Sequence, residues 1–167
     1  RIKGIAVLYE RVSKAVSDAL KNNFFPVILS GDHSIAGATV AGIKIAKPKS
    51  KIGVIWIDAH AVMHTPFTTP SGNVHGMALA ATINEDNEDC AVHEIDEETK
   101  KYWNQLKNIG KVAPKVLPED VVLISLRDFE ICLKEFVVAG FRIRNYPLFC
   151  LSSLWVFAFS LHSNINL

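Results

Sequence analysis

Apolar residues at Ile5, Leu8, Val12, Ala15, Val16 and Ala19 recur at spacings of three and four, which predicts an amphipathic helix running to about Lys21. The period then changes. Residues 24–30 (FFPVILS) form a short apolar run ending at Gly31, as expected of a strand buried on both faces of a parallel sheet. Asp32 and Ser34 are N-cap residue types, and the Ala-rich stretch 35–46 suits a helix that Pro48 ends. Residues 51–58 (KIGVIWID) predict a second buried strand. Pro66, Pro70, Gly72 and Asn73 make residues 59–76 a long loop with defined turns, and a loop of that length is usually functional or disordered. A short helix over 77–83, an acidic surface loop over 84–98 and a helix over 99–109 follow. Beyond Pro114 and Pro118, residues 121–126 (VVLISL) predict a third buried strand and 130–139 a helix. Strands alternating with helices imply βαβ units and an α/β domain.

Composition narrows the partners more than the fold. The 167 residues are 49% hydrophobic and 21% charged, enough for one domain with its own core. With 18 basic and 17 acidic side chains the formal net charge is +1, so no strong field favours nucleic acid or an anionic membrane. Cys90, Cys132 and Cys150 are odd in number, widely spaced and without a C-x-x-C pair; they suggest neither a disulfide framework nor a zinc site, and point to a reducing, cytoplasmic setting. Residues 147–161 (PLFCLSSLWVFAFSL) are apolar, but at about 15 residues they fall short of the roughly 20 a spanning helix needs. A buried strand or an out-of-frame tail is the expectation there, which separates residues 1–146 from a tail at 147–167.

Candidate chemistry gathers immediately after the predicted strands, where ligands bind in open parallel sheets. The clusters are Ser30 to Ser34 (SGDHS), Asp58 with His60, and Arg127 with Asp128. His33, Asp58 and His60 are metal-ligand types, and alternate residues of an extended stretch share a face, so Asp58 and His60 could meet the same ion or two adjacent ions. Each also has a plain reading: His33 as a turn histidine beside a helix cap, and Asp128 as the partner of Arg127.

SGDHS at 30–34, IDAH at 57–60 and SGNVHG at 71–76 stand in the order and spacing of the ureohydrolases, the family of arginases, agmatinases and formimidoylglutamases. HTPFTTPSGNVHGM at 64–77 resembles the arginase branch in particular. The resemblance covers about residues 4–146, or about half of a family member. It implies a three-layer α/β/α fold with a mainly parallel sheet, incomplete on its C-terminal side and on its N-terminal side. It also implies two manganese ions sharing a hydroxide that attacks L-arginine or a related guanidino compound, releasing urea and L-ornithine, in a cytoplasmic homo-oligomer with no nucleic-acid or membrane partner. On this resemblance His33 holds one ion, His60 the other, and Asp58 bridges them. His75 is a proton shuttle, Thr69, Ser71 and Asn73 contact the substrate carboxylate, and Glu130 lies near its α-amino group. Those hydroxyls and amides could equally satisfy the backbone of a turn. The chain departs from the pattern at Val62, where the family motif D-x-H-x-D has its second Asp, and it has no later S-x-D-x-D motif. Smaller departures are Ser30 for Gly, His64 for Asn, and Glu130 for Asp.

Overall fold

The computed structural model describes residues 2–127 together with two strands at 142–144 and 155–160; the predicted helix at 130–139 lies outside these residues. Four helices are described: α1 (Ile2–Lys21), α2 (Ala36–Ala46), α3 (Ala78–Ile83) and α4 (Glu97–Lys107). The strands are β1 (Ile52–Ile57), β2 (Val121–Ile124), β3 (Arg142–Arg144) and β4 (Trp155–Ser160), in the sheet order β3-β2-β1-β4. β1 pairs in parallel with β2 and β2 with β3, whereas β4 runs antiparallel along the other edge of β1. This is an α/β fold with a mainly parallel sheet, as the alternating pattern predicts.

α1 forms where the periodicity places it, but its buried stripe is rotated from the apolar one. Ala6, Tyr9, Ser13, Val16 and Ser17 are buried, while Leu8 is 39% exposed. The reason is close packing on α2. A Cβ added at Gly42 would come 2.6 Å from the Ser13 carbonyl oxygen and 2.7 Å from Val16 Cβ, and one at Gly37 2.7 Å from the Tyr9 hydroxyl, so glycines on α2 make the room that this stripe fills. α1 ends in a Schellman arrangement: Asn23 takes φ +61°, the Asn23 N–H donates to Leu20 O and the Phe24 N–H donates to Ala19 O at 2.9 Å.

Two strand expectations are corrected. Residues 24–30 form no strand: Phe25, Val27 and Leu29 are 79%, 75% and 86% exposed, and no ladder partner exists among the described residues. An apolar run becomes a strand only when a neighbour meets its backbone groups, and β1 is already flanked by β2 and β4. β1 and β2 do form, but only one face of each is fully buried. Ile52, Val54, Trp56, Val121 and Leu123 face the core, while the residues between them are half-buried.

The acidic loop expected at 84–98 is not simply surface. Asp86 accepts hydrogen bonds from Trp103 Nε1 and from buried Lys107 Nζ, each at 2.6 Å, and Asn87 is buried. Cys90 is disulfide-bonded, counter to the reading of its spacing.

Lys115 is also buried. Its ammonium donates to the Leu106 and Lys107 carbonyls at the end of α4, and burial together with the nearby Lys107 charge pushes its pKa down to about 8. The folded state therefore holds this proton less tightly than the unfolded chain, whose reference value is 10.5. The resulting cost is fully present below about pH 8 and is relieved as pH rises toward 10.5. Between pH 7.5 and 9.5 the urea midpoint should therefore rise relative to that of Lys115→Met; a constant gap between the two would refute the assignment.

Candidate functional site

The carboxyl ends of β1 and β2 are tied together, with the Asp58 N–H donating to Ile124 O at 3.1 Å and the Arg127 N–H to Ala59 O at 2.9 Å. Asp58 follows β1 directly and is nearly buried. Its two carboxylate oxygens face different imidazoles: Oδ2 lies 3.6 Å from His33 Nδ1, and Oδ1 lies 3.5 Å from His60 Nδ1. His33 arrives from the turn that opens α2. There Asp32 accepts from the Ser34 N–H at 2.8 Å and from the Ser34 hydroxyl, which fixes the turn and holds the Asp32 carboxyl below its usual range, with a smaller pull from His75 and His33.

His33 packs against Trp56, their rings 4.9 Å apart, and its Nε2 is buried without a hydrogen-bond partner. Burial pushes its pKa down to about 4 against the opposing pull of Asp58 and Asp32, so the ring is neutral at neutral pH, the form that coordinates metals. The turn that carries His75 packs against the turn that carries His33. The structure thus brings together His33, Asp58, His60 and His75. The side chain of His60 is 69% exposed and that of Asp58 only 9%.

Thr69, Ser71 and Asn73 lie on a separate loop. Thr69 Oγ1 accepts from the Gly72 N–H at 3.1 Å and the Ser71 N–H at 3.4 Å, and Ser71 Oγ accepts from the Asn73 N–H at 3.2 Å. The hydroxyls thus take up turn backbone, with Gly72 at φ +69° supplying the left-handed residue. The loop is held from behind by the 84–93 segment. Thr65 Oγ1 donates to Asp86 O at 2.7 Å, Asn87 Nδ2 to Met63 O at 2.8 Å, and His93 Nε2 to Thr69 O at 2.7 Å. Asp128 and Glu130 lie outside the described residues. Sequence reasoning missed His93, Trp56 and Asp86 as supports. Trp56 read only as part of an apolar strand, and no spacing signal links residues more than 20 positions apart.

Val62 is buried and sits at φ +58°, a left-handed conformation that β-branched residues rarely adopt and that Asp and Asn tolerate far better. Its backbone is pinned by the Leu79 N–H, which donates to Val62 O at 3.2 Å. Among the described residues no group of three or more His, Cys, Asp or Glu side chains is arranged to hold a metal ion.

The site is thus set in a mainly parallel α/β sheet, with two imidazoles and a carboxylate converging beside its strand ends. The family itself follows from comparison: residues 2–147 match the arginase family, and the chain belongs to it. It is 38% identical over 136 residues to the arginase of Bacillus caldovelox, covering 81% of this chain and 40% of that protein. It is 40% identical over 128 residues to the arginase of Brevibacillus brevis, covering 77% of this chain and 37% of that one. The native crystal structure of the B. caldovelox arginase superposes with a TM-score of 0.70 at 38% identity, over 87% of this chain and 43% of the other. An arginase structure from Bacillus subtilis gives the same TM-score at 32% identity, over 86% of this chain and 43% of the other. The chain therefore spans about two fifths of the length of the relatives it matches.

Proposed function

We propose that this chain carries part of an arginase site, with His33, Asp58 and His60 as three of its manganese-ligand positions, not placed to hold an ion unaided, beside a 69–73 loop for the α-carboxylate of L-arginine, and that alone it does not convert arginine to ornithine and urea. The observation that carries the reading is Asp58 with one oxygen toward each imidazole, the disposition a carboxylate needs to bridge two cations. The fit to a metal pair is poor. Two neutral imidazoles and one carboxylate leave two divalent ions short of charge and of ligands, since manganese favours oxygen-rich, near-octahedral sites. Where one further carboxylate would narrow the shortfall stands the isopropyl group of Val62. What the chain's own residues contribute is a neutral His33, a Ser-Thr turn that orients the 69–73 loop, and His75 near both. Glu130 beside the substrate amino group belongs to the same proposal.

A cytoplasmic setting and homo-oligomeric assembly come with the family reading, as does the lack of a nucleic-acid or membrane partner. Among the described residues no helix is long and apolar enough to cross a membrane.

Manganese titration followed by electron paramagnetic resonance tests the reading, with Val62→Asp run in parallel. One weakly bound ion or none is expected for both chains, with no urea released, because a single added carboxylate still leaves the pair undercoordinated. A spin-coupled pair, or urea production by either chain, would overturn it.

A further inference from the structure

We propose that the groove along the carboxyl half of α1 is a binding site for a short aliphatic carboxylate, separate from the strand-end residues. The groove measures about 370 Å3, at the lower end of the roughly 300–1,000 Å3 usual for small-molecule sites. Ser13, Ser17 and Lys21 of α1 line one side, and Ile45 of α2 with Ile109 and Gly110 line the other. Gly110 takes φ +76° and lies so close to Ile45 that a Cβ there would run into the Ile45 side chain, which fixes that wall. Ile45 belongs to the carboxyl end of α2, whereas His33 stands before its amino end, about 15 Å away along the helix.

Two groups in this groove lack partners. The Ser13 hydroxyl donates to Glu10 O at 3.1 Å, the usual return of a helical serine to a carbonyl one turn back. Ser17 is 2% exposed and lines the same groove, yet its buried Oγ has no hydrogen-bond partner among the described residues. An acceptor supplied by a ligand would therefore displace no existing bond. The second group is Lys21. Lys14 is paired with Asp18, and Glu10 accepts from Gln105 Nε2 at 2.6 Å, whereas Lys21 has no ion-pair partner among the described residues. Ser17 and Lys21 are four residues apart on one helix face, about 6 Å between their Cβ atoms, so one carboxylate can accept from the hydroxyl with one oxygen and from the ammonium with the other. Repulsion there is small. Glu10 stands two turns from Ser17, about 10 Å along the axis. The helix-end carbonyls are already bonded, Asp18 O by the Asn22 N–H, Ala19 O by the Phe24 N–H and Leu20 O by the Asn23 N–H. An aliphatic tail on the same ligand lies over Ile109 and the partly buried Ile45.

The test titrates the full chain with 3-methylbutanoate, and separately with 3-methylbutylamine at the same ionic strength, and follows amide and methyl resonances. The expected result is saturable shifts at Ser17, Ile45 and Gly110 with the carboxylate and none there with the amine. Lys21→Gln should weaken the carboxylate by about tenfold or more, and Ser17→Ala by about threefold or more. Ser17→Ala should also raise the urea midpoint of the free chain, since it removes a buried hydroxyl that nothing meets, so its weaker binding cannot come from a damaged fold. Shifts confined to the 69–73 loop or the His33 turn, a drift that does not saturate, or an equal response to the amine would each overturn the proposal. So would a Ser17→Ala chain that binds as the parent does or unfolds at lower urea.

Discussion

Asp86→Ala should lower the unfolding free energy by about 2–4 kcal/mol, because it leaves the buried Lys107 ammonium without its counter-charge and Trp103 Nε1 without an acceptor. The lower part of the range for buried pairs applies, since about a third of the Asp86 side chain meets solvent. The loss should be largely recovered in Asp86→Ala/Lys107→Met, which removes the stranded charge together with its partner. Urea denaturation of the single and double variants measures both. An Asp86→Ala chain as stable as the parent would show that water already satisfies Lys107. Hydrogen exchange should quicken over 63–69 in Asn87→Ala, which removes the Asn87 Nδ2 donor to Met63 O, whereas Asp86→Ala keeps the backbone carbonyl that accepts from Thr65 Oγ1.

The second large effect comes from two glycines in the paired helices, for which opposite signs are expected. Gly42→Ala sets a methyl group 2.6 Å from a backbone carbonyl that cannot turn aside, and overpacking of this kind costs about 1–3 kcal/mol, more than the roughly 1 kcal/mol that Ala gains over Gly as a helix former. Gly42→Leu should leave no cooperative transition. Gly4→Ala, in α1 with nothing within 4 Å, should instead stabilise by about 0.5–1 kcal/mol. Thermal or urea unfolding of the two alanine variants decides the matter: equal effects would mean that α1 and α2 are not in close contact.

Much of this architecture is legible along the chain because its causes are local. The three-and-four spacing before Lys21, the Asp32 cap and the runs around Ile52 and Val121 mark α1, α2, β1 and β2 at nearly their observed positions. The buried stripe of α1 is not legible, because what brings Ser13 and Val16 against the neighbouring helix is the lack of a side chain at Gly42. Nor is the fate of residues 24–30, since the same apolar letters serve a strand with neighbours or an exposed stretch without them. At the site, His33, Asp58 and His60 are readable as ligand types and do converge. The tether from His93 to Thr69 and the left-handed backbone at Val62 arise only from tertiary contacts.

The turn at 69–73 has a further consequence for recognition of anions. A hydroxyl oxygen that accepts backbone N–H groups through its lone pairs keeps its own proton to give away, and accepting polarises the O–H bond so that it donates more strongly. Ser71, exposed and already accepting from the Asn73 N–H, is therefore a sharpened donor rather than a spent one, which suits the carboxylate contact proposed for this loop.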